Sequence, residues 1–483
     1  MDNSVKYTLF RGVIWNTLEK FSIRFVTFAV GILLARLLSP DDYGLLGMIS
    51  IFISLSQMFI ESGFAKALIS KKDRCEDDFC TAFYTNVIVA VTLYIVLFVI
   101  SPYVADFYEQ PILKILLRVL SLNFVLGSFN IVQRARLMSN MEFKTLAKVN
   151  FIATMCGCII GVVCAYAKCG VWSIVAQTLS STCTSLCLFP IVSGWKPKMR
   201  FSMTSFRNLF GFGSKLLASS TLSVIMSNIS TISIGKFFSV SDVGYYTRAV
   251  HFSELVNSTI CDVTGTVTFP VLSKFQDARN HLINIHKKTL FYTALVTLPI
   301  MVLLCMLARP IILLLLTDKW EPSIFLFQIL CLARMITPMT SLNLNILNAI
   351  GRSDLYLKLD FIKIPLTLIR LVITIPLGIK AIVLGDLIDT CICFFINSYY
   401  SKQFFGYGAF QQLKDWKYIF LSVIIMSLSI YFVLKCIHCL WIQILLGSLV
   451  GLLIYLLSCT FFKIIDIDLF INALNRLRMR MNL

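Results

Sequence analysis

From Phe79 to Tyr103 the chain runs 25 residues without one charged side chain. Comparable apolar stretches recur from one end of the 483 residues to the other. An α-helix rises about 1.5 Å per residue, so about twenty such residues cross a hydrocarbon core about 30 Å thick. With 58% hydrophobic and only 14% charged residues, the chain lacks the polar side chains that cover a soluble protein of this length. The pattern predicts an all-α polytopic membrane protein. Fourteen spans are expected, near 12–38, 44–70, 79–103, 112–133, 146–167, 170–192, 208–238, 245–272, 286–316, 323–350, 355–379, 381–400, 418–435 and 440–462. The first carries Glu19, Lys20, Arg24 and Arg36 and lacks a short apolar core with a small-residue cleavage site. It is therefore expected to stay as a span and not to act as a removable signal peptide.

The formal net charge is +18. Such an excess would point to nucleic acid if the cations gathered on one soluble domain, but here they alternate with the spans. With the N-terminus in the cytoplasm, 26 of the 43 Lys and Arg residues fall in cytoplasmic loops or the span ends beside them, and four in or beside outside loops. That asymmetry is the positive-inside rule. Both termini are expected on the cytoplasmic side, and no nucleic acid is expected as a partner. No loop is long enough for an extramembrane catalytic domain. Most of the sixteen cysteines lie inside apolar runs, where they act as small hydrophobes. Cys436 and Cys439 flank His438 in a turn, but a zinc site needs about four ligands, and no second cluster is present to complete one.

The segment ARLLSPDDYG, Ala35–Gly44, returns 200 residues later as GKFFSVSDVG, Gly235–Gly244. Arg36 matches Lys236, Ser39 matches Ser239, Asp42 matches Asp242 and Gly44 matches Gly244. Each copy ends an apolar run with a cation and then turns at a polar corner. Both corners follow odd-numbered spans, so the copies cross the membrane in the same direction. The duplication predicts two parallel-repeat six-helix lobes, over 1–207 and 208–404, with two C-terminal helices and a basic tail over 405–483. Such a plan places a site at the lobe interface. Gly447 and Gly451 in the last span are spaced for close helix packing.

Ionised residues are costly at the bilayer centre, so they face a wet cavity or one another. Their spacing shows which helix face they occupy. In span 1, Asn16, Lys20, Arg24, Thr27 and Gly31 step by 4, 4, 3 and 4, and form one face. Span 2 offers Ser50, Ser54, Gln57 and Glu61, and span 4 offers Asn123, Gly127, Asn130 and Arg134. Span 7 has Lys215 and a serine stripe from Ser220 to Ser230. Span 8 has His251, Glu254, Ser258 and Asp262, and span 10 has Arg334, Ser341, Asn345 and Asn348, with Pro338 as an expected kink. The striped spans pair under the repeat as 1 with 7, 2 with 8 and 4 with 10. They are the expected walls of a cationic cavity, unless their Ser, Thr and Asn side chains serve instead to bind helix to helix. Candidate anion-binding residues are Arg24, Lys20, Asn16, Lys215, Arg334, Asn345 and Gln57. Arginine suits phosphate through its planar, bidentate fork. Glu61, Asp262 and Glu254 are candidate partners for these cations, or carriers of coupling protons or sodium.

A series of stretches in order resembles a known family. They are LLARLLSPDDYGLLGM (Leu33–Met48), ESGFAKALI (Glu61–Ile69), FYEQPILKILLRVLSLNF (Phe107–Phe124), EFKTLAKV (Glu142–Val149), GVWSIVAQTL (Gly170–Leu179), DVGYYTRA (Asp242–Ala249), FPVLSKFQD (Phe269–Asp277) and DKWEPS (Asp318–Ser323). The chain resembles Wzx-type polysaccharide flippases of the multidrug/oligosaccharidyl-lipid/polysaccharide exporter superfamily, most of all the lipopolysaccharide and colanic/teichuronic-acid exporter branch. The resemblance implies a V-shaped pair of lobes, alternating access and a bacterial plasma membrane location. It implies as cargo a polyprenyl-pyrophosphate-linked oligosaccharide, moved from the cytoplasmic to the outer leaflet. Arg24 is the positional match to the cavity arginines of such proteins. Polysaccharide polymerase and chain-length proteins are the implied partners beside the lipid bilayer. Neither a cofactor nor a metal is expected, beyond coupling to protons or sodium. Three rival readings exist, of which a purely structural membrane protein would not explain cations along one helix face. An ion-coupled cation antiporter of the same superfamily would need an acidic, aromatic cavity. A membrane-embedded polymerase or glycosyltransferase would need a large loop for its catalytic groups.

Overall fold

The computed structural model describes residues 3–62, 75–274 and 279–464, and no strand occurs among them. Contacts divide the chain into two compact units, Met1–Gly244 and Tyr245–Leu483. The first holds α1 (Asn3–Leu37), α2 (Pro40–Ser62), α3 (Glu76–Tyr108), α4 (Ile112–Ser139), α5 (Phe143–Tyr166), α6 (Trp172–Ser193), α7 (Met203–Phe237) and the first turn of α8 (Val240–Lys274). Within it α5 packs on α6 and α1, α4 on α3 and α6, and α7 on α2 and α3. The second unit continues α8 and adds α9 (Arg279–Met306), α10 (Ala308–Leu316), α11 (Ser323–Arg334), α12 (Thr337–Ala349), α13 (Ser353–Thr374), α14 (Ile379–Phe405), α15 (Ala409–Asp415), α16 (Lys417–Cys436) and α17 (Leu440–Phe461). There α14 packs on α11, α12 and α13, while α16 packs on α17 and α9.

Among the described residues, nine helical segments are long and apolar enough to cross a membrane: α2 to α6, α9, the joined α11 and α12, α16 and α17. The expected spans 1, 7, 8, 11 and 12 are helical as well, as α1, α7, α8, α13 and α14. These five carry the ionised or hydroxyl side chains that lower their hydropathy.

The repeated corner is a helix N-terminus made twice by the same chemistry. Ser39 Oγ donates to Asp42 Oδ2 at 2.7 Å, and the Asp42 amide donates back to Ser39 Oγ at 3.2 Å. At the second corner Ser239 Oγ donates to Asp242 Oδ2 at 2.7 Å, and the Asp242 amide donates to Ser239 Oγ at 3.1 Å. This is a capping box that satisfies orphan amides of the first helical turn, with aspartate in the role usual for glutamate. Pro40 fits the first position of α2 because its missing N–H would have no intrahelical partner there. The two corners dock on each other. A β-carbon added at Gly44 would lie 1.9 Å from the Val240 carbonyl oxygen, and one at Gly244 would lie 2.0 Å from the Pro40 carbonyl oxygen. Ser241 also donates a hydrogen bond to Asp41 across the contact. The matched glycines are therefore the points where two backbones touch. Lys236, the cation of the second corner, caps the C-terminal end of α3, donating to the Phe107 carbonyl at 2.8 Å and pairing with Glu109 at 3.2 Å.

In the second unit Pro338 breaks its span as expected. The helix stops at Arg334 and resumes at Thr337. Proline offers no N–H to the carbonyl of residue 334, and its ring crowds that carbonyl. Arg334 is left at the C-terminal, partly negative end of α11, a favourable place for a cation. Gly447 and Gly451 do serve packing within the chain, since Leu307 and Ile430 side chains lie where their β-carbons would be. One buried polar cluster has no signature in the residue spacing. Asn343 of α12 and Gln412 of α15 exchange amide hydrogen bonds at 3.0 Å, and His286, Ser398 and Ser401 bond to Asn343 at 3.2–3.3 Å. These bonds tie the short α15 to α9, α12 and α14 without leaving the amides unpaired in an apolar surround.

Candidate functional site

The polar face of α1 is only partly covered. Arg24 is half-buried, while Lys20 and Thr27 are exposed beside the exposed rings of Phe21 and Phe25. Arg24 lies thirteen residues before the end of α1, about 20 Å along the axis. That is well inside a hydrocarbon core about 30 Å thick. Glu19, its near neighbour, accepts a hydrogen bond from Asn150 of α5 at 2.6 Å. Gln57 is exposed on α2, and Ser50 of the same stripe reaches Asn228 of α7 at 3.5 Å. The side chains of Asn16, Glu61 and Lys215 lie outside the described residues. The span 4 stripe serves a different purpose. Asn123 accepts from Thr182, and Asn130 donates to Ser185 at 2.9 Å, so both bind α4 to α6. Here the hydroxyl and amide groups hold helices together.

In the second unit the candidate residues join a chain of ions. Arg334 Nε lies 3.1 Å from Glu254 Oε2. The contact is one of charge more than of hydrogen bonding, since the Nε–H does not line up on an acceptor. Asn257 donates to the other oxygen of Glu254 at 2.9 Å. Glu254 is thus the counter-ion of Arg334, one of the two roles its spacing left open. Asp262 is exposed on α8, and Asn345 is half-buried on α12. Arg334 also feels the charge of Asp386 on α14.

Asp386 continues the chain to residues that the span stripes had not singled out. Arg370 of α13, with 8% of its side chain exposed, donates to Asp386 at 2.7 Å and stands 4.0 Å from Asp389. Thr367 donates to Asp389 at 3.0 Å, and Lys363 pairs with Asp360 at 2.6 Å. The signal was present in the sequence. Asp360, Lys363, Thr367 and Arg370 step by 3, 4 and 3 along one face of α13, and Asp386 and Asp389 share a face of α14. Charges buried in this way hold only as a paired network, because each one alone would lose its hydration without return. Outside the spans, Arg352 at the start of α13 grips Asp354 through two hydrogen bonds of 2.9 Å. This grip holds the Asp354 carboxyl below its usual range.

The helix order and the broken helices are a fold shared with solved membrane proteins. Lipid II flippase MurJ in an inward closed conformation superposes with a TM-score of 0.75 at 19% identity, covering 93% of this chain and 98% of that one. An inward-facing MATE-family multidrug resistance transporter of the MOP superfamily superposes with a TM-score of 0.59 at 14% identity, covering 82% and 100%. In sequence, the succinoglycan biosynthesis transport protein ExoT of Rhizobium meliloti (strain 1021) is 26% identical over 348 residues, 71% of this chain and 70% of that one. Residues 33–325 match the polysaccharide biosynthesis protein family, and the chain belongs to it.

Proposed function

We propose that the chain is a lipid-linked oligosaccharide flippase. It carries a polyprenyl-pyrophosphate-linked sugar unit from the cytoplasmic to the outer leaflet for surface polysaccharide synthesis, by alternating access. Membership of the polysaccharide biosynthesis family supports this reading, as does the likeness to a succinoglycan transport protein. The observation that carries it is Arg24, a half-buried cation about 20 Å inside α1. A pyrophosphate drawn through low dielectric needs a fixed counter-charge, and arginine supplies one with two parallel hydrogen bonds. No residue is assigned a catalytic role. The lobe division at 1–207, 208–404 and 405–483, the bacterial inner-membrane location, and pairing with polymerase and chain-length proteins belong to the same proposal. Coupling to protons or sodium would fall to Glu61, Asp262 and Glu254, of which Glu254 also pairs with Arg334.

Arg24→Ala is expected to abolish export of the lipid-linked sugar, and Arg24→Lys to keep part of it, in complementation of a flippase-null strain with protein level checked by immunoblot. Full export by normally expressed Arg24→Ala protein removes Arg24 from the site. The proposed topology has fourteen crossings with both termini in the cytoplasm. A reporter fused at Lys414 is then expected to read cytoplasm, and one at Asp318 to read outside. A cytoplasmic reading at Asp318 would overturn the even count and the same-direction crossing of the two copies.

A further inference from the structure

Helices α13 and α14 enclose a groove of about 850 Å³ at the end where α13 begins and α14 finishes. Its two ends differ in chemistry. Arg352 and Gln403, both exposed, line one end, the exposed Lys358 lies part-way along, and Ile362 and Phe395 line the other end. The helices run antiparallel, so the charged and amide groups of both lie toward the same end of the groove, on a floor that Leu355, Tyr400 and Phe404 keep apolar. From Arg352 to Ile362 the distance is about 15 Å along the helix axis. Beyond Ile362 the outer face stays apolar: Leu368, Ile369, Val372 and Ile373 are exposed on α13, as are Leu384, Ile388 and Ile392 on α14. A soluble anion would find its cations at one end only and gain nothing from the rest. An amphiphile with an anionic head and a hydrocarbon tail matches both ends.

The charge selects among amphiphiles. Arg352 gives two of its N–H groups to Asp354, which leaves Arg352, Asp354 and Lys358 with a net charge of one positive unit. That balances a phosphodiester, which carries one negative charge, better than a pyrophosphate, which carries more. We propose that this groove binds one anionic phospholipid of the leaflet on its own side, with the phosphodiester at Lys358 and Arg352 and an acyl chain along Ile362 and Phe395. The site is separate from the cargo reading and stands or falls without it.

The test uses the full chain purified in detergent, with bound lipids counted by native mass spectrometry during titration with phosphatidylglycerol or phosphatidylcholine. The unaltered protein is expected to retain one phosphatidylglycerol in preference to phosphatidylcholine. A cation near the membrane surface contributes about 1 kcal/mol toward anionic lipid, so Lys358→Gln should cut the preference about fivefold. Lys358→Arg should restore it. Lys358 is exposed, so the exchange leaves the fold intact, and a thermal melt confirms this. An absent preference in the unaltered protein, or one that survives Lys358→Gln, overturns the proposal. So does displacement of phosphatidylglycerol by polyprenyl pyrophosphate that binds more tightly with the same dependence on Lys358, because the groove would then belong to the cargo.

Discussion

Gly44→Ala is expected to destabilise the protein by about 3 kcal/mol or more and to abolish export. Its new β-carbon would sit 1.9 Å from the Val240 carbonyl oxygen, and backbone cannot rotate aside as a side chain can. Overpacking a tight contact costs roughly 1–3 kcal/mol where side chains can give, and here the two helix starts must part. Their separation would also strain the hydrogen bond from Ser241 to Asp41. Gly244→Ala should behave alike, since Pro40 presents its carbonyl in the same way. Gly127→Ala is the control, because nothing lies within 4 Å of the added carbon. In a helix interior that exchange is expected to gain up to about 1 kcal/mol. Thermal unfolding of the purified variants measures all three. A Gly44→Ala protein that melts with the unaltered one would mean that the two helix starts can part at little cost.

The second large effect is expected at Arg370. Its removal strands Asp386 and Asp389 in a buried site with one shared partner gone. Breaking a buried pair from one side costs about 3–5 kcal/mol, so Arg370→Gln should fail to accumulate or melt well below the unaltered protein. Asp386→Asn leaves Arg370 with Asp389 and should cost less. Combining the two removes one charge of each sign, and the double variant should recover much of the lost stability. If Arg370→Gln and the double variant melt alike, the network is not a coupled unit. Protein level and melting temperature decide this without any transport assay.

These two sites differ in how far the sequence foretold them. The corner was legible because it is local: a serine, an aspartate three residues on and a cation before them spell a capped helix start. The matching glycines were legible as a repeat, but their purpose was not, since no spacing rule says which backbone will approach. Pro338 likewise announced the break between α11 and α12 through its missing N–H. The ion chain was harder to read. Its residues on α13 and α14 obey the same three-and-four spacing as the stripes on α1, α2 and α4, yet they lie outside the pairs that the duplication matches. Spacing shows that polar side chains share a face of a helix, but not what that face meets. That depends on the rotation of the helix against its neighbours, which no single span encodes. Asn123 and Asn130 illustrate the point, since their stripe suits a cavity wall and is spent on Thr182 and Ser185.

The reciprocal corner also bears on how such a chain can change over evolutionary time. Residue 44 meets 240 while 244 meets 40, the exchange that a two-fold axis imposes on an isologous interface between identical surfaces. A larger residue at 44 can be housed only by a retreat at 240, and one at 244 only by a retreat at 40. Compensation therefore runs from one copy of the repeat to the other and not along either copy. The two halves of the gene can diverge in their spans and loops, but at this corner neither can drift alone.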